Sequence, residues 1–190
     1  MGFCKLEAGI EFGCEQRKAS AGAQSFFYVA NLDEIDKAST TYGTDGEITS
    51  LVLKSVSGNQ VYKIETPKNA NDAGYEVQLG DTSGNPSFKH MVNMQLSGLD
   101  QTTLSVVQDI VYASNLVVFM PTKAKTIEVY GWDDGLSIET GTQTTGKLGT
   151  DNNLHQLLIS GESNEIFKQY IDTDYDTSIL ALETLLTPVP

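Results

Sequence analysis

The acidic residues near the C-terminus have the spacing of a calcium-binding loop. From Asp172 to Glu183, carboxylates occupy loop positions 1, 3, 5 and 12, and Ile179 stands at the apolar position 8. Alternate carboxylates of this kind converge on one point and suit a hard cation such as calcium. Position 6, which normally requires glycine for a sharp turn, is Thr177. The pattern therefore favours a solvated acidic loop before an apolar tail, with a calcium site as the alternative.

The cysteines and histidines are too few and too scattered to predict a zinc site. Cys4 and Cys14 lie close together near the N-terminus, whereas His90 and His155 fall in predicted strands. This spacing matches none of the usual arrangements of four zinc ligands. His90 lies on the apolar side of its strand, which favours a hydrogen-bonded core residue over a catalytic base. We expect free thiols, with a disulfide between Cys4 and Cys14 as the alternative, and no metal or other cofactor.

No nucleophile or phosphate-binding motif is complete. The chain has no Gly-x-Ser-x-Gly elbow, and the run from Asp81 to Gly84 is a turn with only a partial likeness to an aspartic-protease triplet. The run from Gly141 to Gly146 lacks the lysine and strand context of a phosphate loop. The sequence therefore predicts a protein that is not an enzyme and has no catalytic residues.

One aromatic pair suggests a different kind of site. Trp132 and Tyr130 stand beside Asp133 and Asp134, and an aromatic ring next to acidic residues can stack a sugar ring. This pattern supports a carbohydrate- or cell-surface-binding β-module as an alternative function. The structural interpretation of the same pair is a strand end that packs on the core.

Composition excludes more functions than it suggests. The chain has 190 residues, 12 basic and 25 acidic side chains, and a net charge of −13, with Arg17 as its single arginine. Clustered positive charge is needed to bind nucleic acid through phosphates, so this mode is disfavoured. The sequence contains no run of about 20 apolar residues that would span a membrane. Its start lacks the pattern of a secretory signal, so we expect synthesis in a cytoplasm.

Turn residues divide the chain into short strands and one principal helix. The clearest alternation puts Phe88, His90, Val92, Met94 and Leu96 on one side of a half-buried strand. The principal helix is predicted from Asp100, as its N-cap, to Ser114, with Leu104, Val107 and Val111 as its apolar stripe. A shorter helix is predicted over 164–171. Strands are predicted over 25–30, 47–55, 60–66, 75–79, 88–96, 116–120, 126–132, 136–140 and 154–160.

These elements predict a mainly β fold of two packed antiparallel sheets, a sandwich or a barrel, with one α-helix on its flank. We expect an N-terminal arm over residues 1–22, a β domain over 23–172 and a C-terminal tail over 173–190. The tail is apolar for a chain end, so it packs back on its own domain or docks on a neighbour.

The elements after residue 85 follow a recognisable order, and its motifs mark turns and strand ends. They are Phe88-Lys-His90, a helix, the hydrophobic strand Leu116-Val-Val-Phe119, Gly131-Trp-Asp-Asp-Gly135-Leu136, Thr145-Gly146, Asp151-Asn-Asn-Leu154 and Leu157-Leu-Ile-Ser-Gly-Glu162. This order, over roughly residues 85–165, resembles that of tail-tube-like virion proteins of tailed bacteriophages, especially the crAss-like phages.

The resemblance implies a structural subunit of a phage tail or neck. Such proteins form homo-oligomeric rings, usually sixfold in tails and of higher symmetry in the neck, that stack around the DNA-ejection channel. It implies contacts with adjacent tail, neck or portal proteins, passage of genomic DNA without specific binding, no membrane contact, and location in the virion after assembly in the host bacterial cytoplasm. An acidic channel wall would repel DNA phosphates, and the negative net charge of the chain is consistent with such a wall.

Overall fold

The computed structural model describes residues 22–56, 58, 60–79, 86–97, 100–144 and 154–186. The expected N-terminal arm lies outside this part of the chain, apart from Gly22. The described residues form eleven strands and two α-helices, with a 3-10 turn at Leu32–Glu34. They are β1 (Phe26–Asn31), β2 (Thr41–Tyr42), β3 (Ile48–Ser50), β4 (Tyr62–Glu65), β5 (Asp72–Leu79), β6 (Pro86–Ser97), α1 (Gln101–Tyr112), β7 (Leu116–Pro121), β8 (Ile127–Tyr130), β9 (Ser137–Thr144), β10 (Leu154–Ser163), β11 (Lys168–Gln169) and α2 (Tyr175–Thr184).

Nine strands form two antiparallel sheets. One has five strands in the order β11-β8-β7-β1-β4, and the other has four in the order β5-β6-β10-β9, while β2 and β3 make a separate ribbon. The predicted fold class, mainly β with two packed antiparallel sheets, is confirmed. Neither sheet closes on itself within the described residues, so the sandwich is observed and the barrel is not.

The first core fills the space between the two sheets. The predicted alternation along β6 is confirmed, because His90, Val92, Met94 and Leu96 are all buried on the side that faces the five-stranded sheet. From β10, Leu157 and Ile159 enter the same core, and Phe27, Val118 and Met120 approach from the opposite sheet. A strand with one buried side and one open side needs this period of two.

The second core covers the outer side of the five-stranded sheet. Every residue of β7 is buried, because its side chains enter the first core on one side and the second core on the other. The covering layer consists of the β2–β3 ribbon, the 3-10 turn and α2. The sandwich is therefore covered by a third layer on this side, whereas the four-stranded sheet has no such cover among the described residues.

Helix α1 closes one flank of the sandwich. Its predicted N-cap is confirmed, since the Asp100 carboxylate accepts a hydrogen bond from the Thr103 backbone N–H at 3.1 Å. The predicted apolar stripe is partly wrong, because Val107 and Ile110 pack into the first core whereas Val111 remains 37% exposed. The side of α1 that packs on the core is therefore rotated by about one residue position from the predicted apolar stripe.

The helix predicted over 164–171 is wrong. This segment is extended, with Lys168–Gln169 paired to β8 as β11. Phe167 packs on the first core and Tyr170 enters the second, so the apolar residues serve two layers instead of one helix face. The edge of β8 also supplies backbone partners, including the Ile127 carbonyl for the Tyr170 N–H at 2.9 Å, that a helix would not use.

The second helix, α2, lies further along the chain than the shorter helix that the sequence predicted. Helix α2 occupies the segment assigned to the C-terminal tail, and its Leu182 is fully buried in the second core. The Glu183 carboxylate lies 3.3 Å from the Tyr28 hydroxyl and 3.2 Å from Lys63 Nζ. Burial, together with Glu183, raises the pKa of Tyr28. No described helix has the length and hydropathy needed to cross a membrane.

The two helix N-caps make the fold sensitive to acid. The Thr103 hydroxyl and N–H lower the pKa of Asp100 below 3.8, and the Thr177 N–H does the same for Asp174. Both carboxylates therefore stabilise the fold above pH 3.8, and that contribution is lost as the pH falls through the lower folded values. We expect the free energy of unfolding to decline between about pH 5 and pH 2.

The double variant D100N/D174N tests this assignment. Asparagine still caps a helix but carries no titrating carboxyl group, so the decline with falling pH should be shallower in the variant. Urea unfolding at each pH measures the decline in both proteins. A variant with the same acid dependence as the natural chain would contradict the role of these two caps.

Candidate functional site: the open four-stranded sheet

The acidic segment with calcium-loop spacing is neither a calcium loop nor a solvated loop, because most of it is α2. Asp174 accepts the Thr177 N–H at 2.8 Å as the N-cap, and Glu183 points at Tyr28 and Lys63. The carboxylates therefore serve a cap and an ion pair instead of converging. Among the described residues, no three His, Cys, Asp or Glu side chains are grouped so that they could hold a metal ion.

His90 is a fully hydrogen-bonded core residue, as its position on the apolar side of β6 predicts. Its Nδ1 accepts the Gly131 N–H at 3.1 Å, so its Nε2 carries the proton and donates to the Glu165 carbonyl at 3.0 Å. Tyr130 packs edge-on against the ring at 5.5 Å. Both nitrogens are engaged with backbone groups. His155 is also buried, and its Nε2 has no partner among the described residues.

The aromatic pair proposed to stack a sugar is buried, so that interpretation is wrong for these two rings. Trp132 is 4% exposed, with Tyr42 edge-on at 6.3 Å and Lys37 Nζ 5.7 Å above its ring. Tyr130 is 1% exposed and donates its hydroxyl to Glu128 at 2.7 Å. Burial and this bond raise the pKa of Tyr130. The structural interpretation, a strand end packed on the core, is the observed one.

The short motifs of the sequence converge at one place, which we call the glycine junction: His90, Gly131, Gly135 and Gly161. Gly131 donates to His90, and Gly135 donates to the Gly131 carbonyl at 3.0 Å. A Cβ on Gly161 would lie 2.2 Å from the Gly135 carbonyl oxygen, so the two backbones touch. Gly135 has φ +79°, which favours glycine. The junction holds β6, β8, β9 and β10 together and carries no reactive group.

The runs tested for phosphate and protease chemistry do not form such sites in the described chain. Residues 141–144 belong to β9, which extends four residues beyond its predicted end, so they are strand and not a phosphate loop. The turn at residues 81–84, and the cysteines Cys4 and Cys14, lie outside the described residues. The wide groove of about 540 Å³ between the β2–β3 turn and residues 165–171 contains Asp45, Glu47 and the Glu165–Lys168 ion pair, and its lining includes no serine, threonine, cysteine or histidine.

The outer side of the four-stranded sheet has no covering layer among the described residues. Its side chains on β5, β6 and β10 are polar for the most part, and none of those named here is buried. The residues of these strands that alternate with core residues include Asp72, Glu76, Gln78, Ser87, Lys89, Met91, Asn93, Gln95, Gln156, Leu158, Ser160 and Glu162, and β9 adds Glu139 beside Lys89. Core packing cannot explain this polarity, because this side of the sheet contacts neither core.

This outer side is acidic. It carries four carboxylates, on Asp72, Glu76, Glu139 and Glu162, against one ammonium group on Lys89, so its net charge is −3. Lys89 Nζ lies 2.8 Å from Glu139, which lowers the pKa of that carboxyl group and neutralises the only cation. The surface therefore repels polyanions, including nucleic-acid backbones.

Both edges of the four-stranded sheet are open within the described chain. Strands β5 and β9 each have eight residues and pair with one described strand, so each presents to its other side a row of backbone groups that no described strand pairs. Because all pairings are antiparallel and the strands number four, β5 and β9 run in opposite directions. A copy of the chain placed beside the first by rotation would therefore bring β5 against β9 antiparallel.

The two edges are also staggered along the strand direction. The centre of β5 lies opposite residues 89 and 90 of β6, and the centre of β9 lies opposite residues 93 and 94, across β10. The offset of about four residues corresponds to about 13 Å at ~3.4 Å per residue. The four strands span about 19 Å across the sheet. If copies pair edge to edge in a closed ring, the offset tilts the strands by roughly 35° from the ring axis, which is within the range of closed barrels.

Comparisons with protein-family models, with curated proteins and with solved structures found no match for this chain. The geometry itself therefore carries the functional argument. The polar side of β6 was visible in the sequence as alternation, but the open edges were not. Strand order depends on tertiary pairing between distant segments, which no local pattern contains.

Proposed function

We propose that this chain is the repeating structural subunit of a ring around a DNA channel in a bacteriophage tail or neck. In this proposal its role is assembly and not catalysis, it needs no cofactor, and it functions in the virion. Its partners are further copies of itself and the adjacent tail, neck or portal proteins. The resemblance of residues 85–165 to tail-tube-like proteins supports the proposal, and the open sheet supports it independently.

The observation that carries the proposal is the pair of matching open edges. In the described chain, strands β5 and β9 are equally long, opposite in direction and without a strand partner on their outward edges, so successive copies extend one continuous antiparallel sheet. A head-to-tail contact of this kind generates a ring when the rotation closes. The stagger of the edges provides the strand tilt that closure requires.

The acidic outer side of the same sheet supports a role as channel wall. Once the edges pair, this side lines the inner surface of the ring, because the five-stranded sheet and its covering layer occupy the other side. Four carboxylates and one paired lysine per copy repel phosphates, so a passing duplex does not adhere. Placement of the outer side toward the channel is thus the arrangement that suits transit of DNA.

Light scattering across concentration, with negative-stain images of the same fractions, tests the proposal. We expect rings or tubes with a central hole. A strictly monomeric 20.6 kDa chain up to its solubility limit, including in the presence of a crowding agent, would contradict it.

Two neighbouring proline variants, T142P and Q143P, test whether the edge of β9 is the interface between copies. In an antiparallel edge strand, alternate N–H groups point to the free side, so one of the two prolines removes no internal bond. The variant that keeps the unfolding temperature of the natural chain should lose assembly. Assembly that survives in that variant would show that β9 is not an interface.

A further inference from the structure

The core-facing side of β5 extends beyond the core. Tyr75, Val77 and Leu79 share the side on which His90 of β6 is buried, yet they are 39%, 58% and 72% exposed. Tyr75 still contacts Phe167, at 6.1 Å between ring centroids. Among the described residues, nothing covers Val77 and Leu79 to the same extent as the core residues further along the sheet. An alternating strand that presents exposed apolar residues is unusual unless something covers them.

Helix α1 presents an apolar strip on the opposite flank of the sandwich. Val106, Asp109 and Ala113 line the groove of about 390 Å³ between α1 and β4. With 100° between successive residues, Leu104 and Val111 lie about half a turn away from that groove, on the flank beside β9. Val111 is 37% exposed, and the adjacent Tyr112 is 77% exposed.

We infer that the apolar side of β5 in one copy packs against the Leu104–Val111 flank of α1 in the next copy. This inference rests on the proposed function, because it takes β5 to pair with β9. A strand added at β9 keeps its core-facing side directed toward the layer that contains α1, since Ile110 of α1 enters the core behind β9. The exposed apolar side of β5 and the exposed flank of α1 then meet.

The size of the interface favours this second contact. An edge of eight residues is about 27 Å long, so backbone pairing alone makes a narrow interface. Specific interfaces bury about 800 Å² of accessible surface on each partner. Contact in the second layer, at the depth of α1, widens the interface and covers Val77 and Leu79, whose exposure is otherwise unfavourable.

Disulfide formation between separately purified copies tests the contact. In a background with Cys4→Ser and Cys14→Ser that assembles like the natural chain, V77C and V111C are mixed and oxidised, and the cross-linked dimer is measured on a non-reducing gel. The matched control replaces V77C by Q78C, because Gln78 points to the outer side of the same strand. We expect dimers from the first pair and few from the control.

Charge substitution gives a second readout. V77K should raise the concentration needed for half assembly by about tenfold or more, since a buried apolar contact is replaced by a charge. Q78K should have a much smaller effect. Rings that form normally with V77K and without the V77C–V111C cross-link would overturn the inference but not the proposed function. If the natural chain forms no rings and the V77C–V111C pair forms no cross-link, both the inference and the proposed function are overturned.

Discussion

Replacing Gly161 by alanine should destabilise the fold by about 3 kcal/mol or more, an unusually large effect for a single added methyl group. The new Cβ would lie 2.2 Å from the Gly135 carbonyl oxygen and 3.2 Å from the Leu136 side chain. The nearest atom belongs to the backbone, so relief requires movement of β10 against the turn before β9. Urea unfolding measures the loss directly.

Alanine variants of three other glycines distinguish the loss of stability caused by a steric clash from the loss caused by a left-handed backbone. Gly74 has open space around its Cβ position, so G74A should change stability little. Gly46 also has open space but has φ +86°, so G46A should cost about 1 kcal/mol for the left-handed backbone alone. Gly135 combines φ +79° with a 2.3 Å approach to the Asn115 Cα, so G135A should lose most. A G161A variant as stable as G74A would refute the close contact at the glycine junction.

Replacing His90 by phenylalanine should cost about 2–4 kcal/mol. Phenylalanine fills the space but offers no acceptor to the buried Gly131 N–H and no donor to the Glu165 carbonyl. A buried backbone N–H without a partner retains its full desolvation penalty. Because His90 is part of the glycine junction, H90F should lower the free energy of unfolding and should also prevent assembly. Urea unfolding and light scattering measure the two effects.

His155 offers the matched control for this variant. It is similarly buried, but its Nε2 has no partner among the described residues, so H155F removes no bond at that atom. We expect less than half the loss seen for H90F. If both variants lose the same free energy of unfolding, the shape of the imidazole side chain, and not its two hydrogen bonds to the backbone, accounts for the contribution of His90.

Most of the fold could be predicted from the sequence because its signals are local. The alternation along β6 follows from a strand with one buried side, and Asp100 followed by Thr103 marks the start of α1. The same reasoning failed at residues 164–171, where apolar residues serve two cores and imitate a helix. It also missed α2, because Asp172, Asp174 and Asp176 match the start of a calcium loop as well as the N-terminus of a helix, where Asp174 is the N-cap.

The candidate site was predictable only in part. Sequence showed the acidic composition and the polar side of β6, but not that β5 and β9 end the sheet. It placed Trp132 and Tyr130 correctly at a strand end without revealing that both rings are buried. The motif glycines mark turns in the sequence, whereas their contact across Gly135 and Gly161 exists only after the sheets have packed.

The width of the four-stranded sheet sets a scale for the assembled object. Each copy contributes about 19 Å across its strands, or about 23 Å of circumference at a tilt near 35°. Every added copy therefore widens the ring by about 7 Å in diameter. Six copies give about 44 Å between opposite backbones, and twelve give about 88 Å. The diameter in one micrograph thus counts the subunits and distinguishes a narrow tail ring from a wide neck ring.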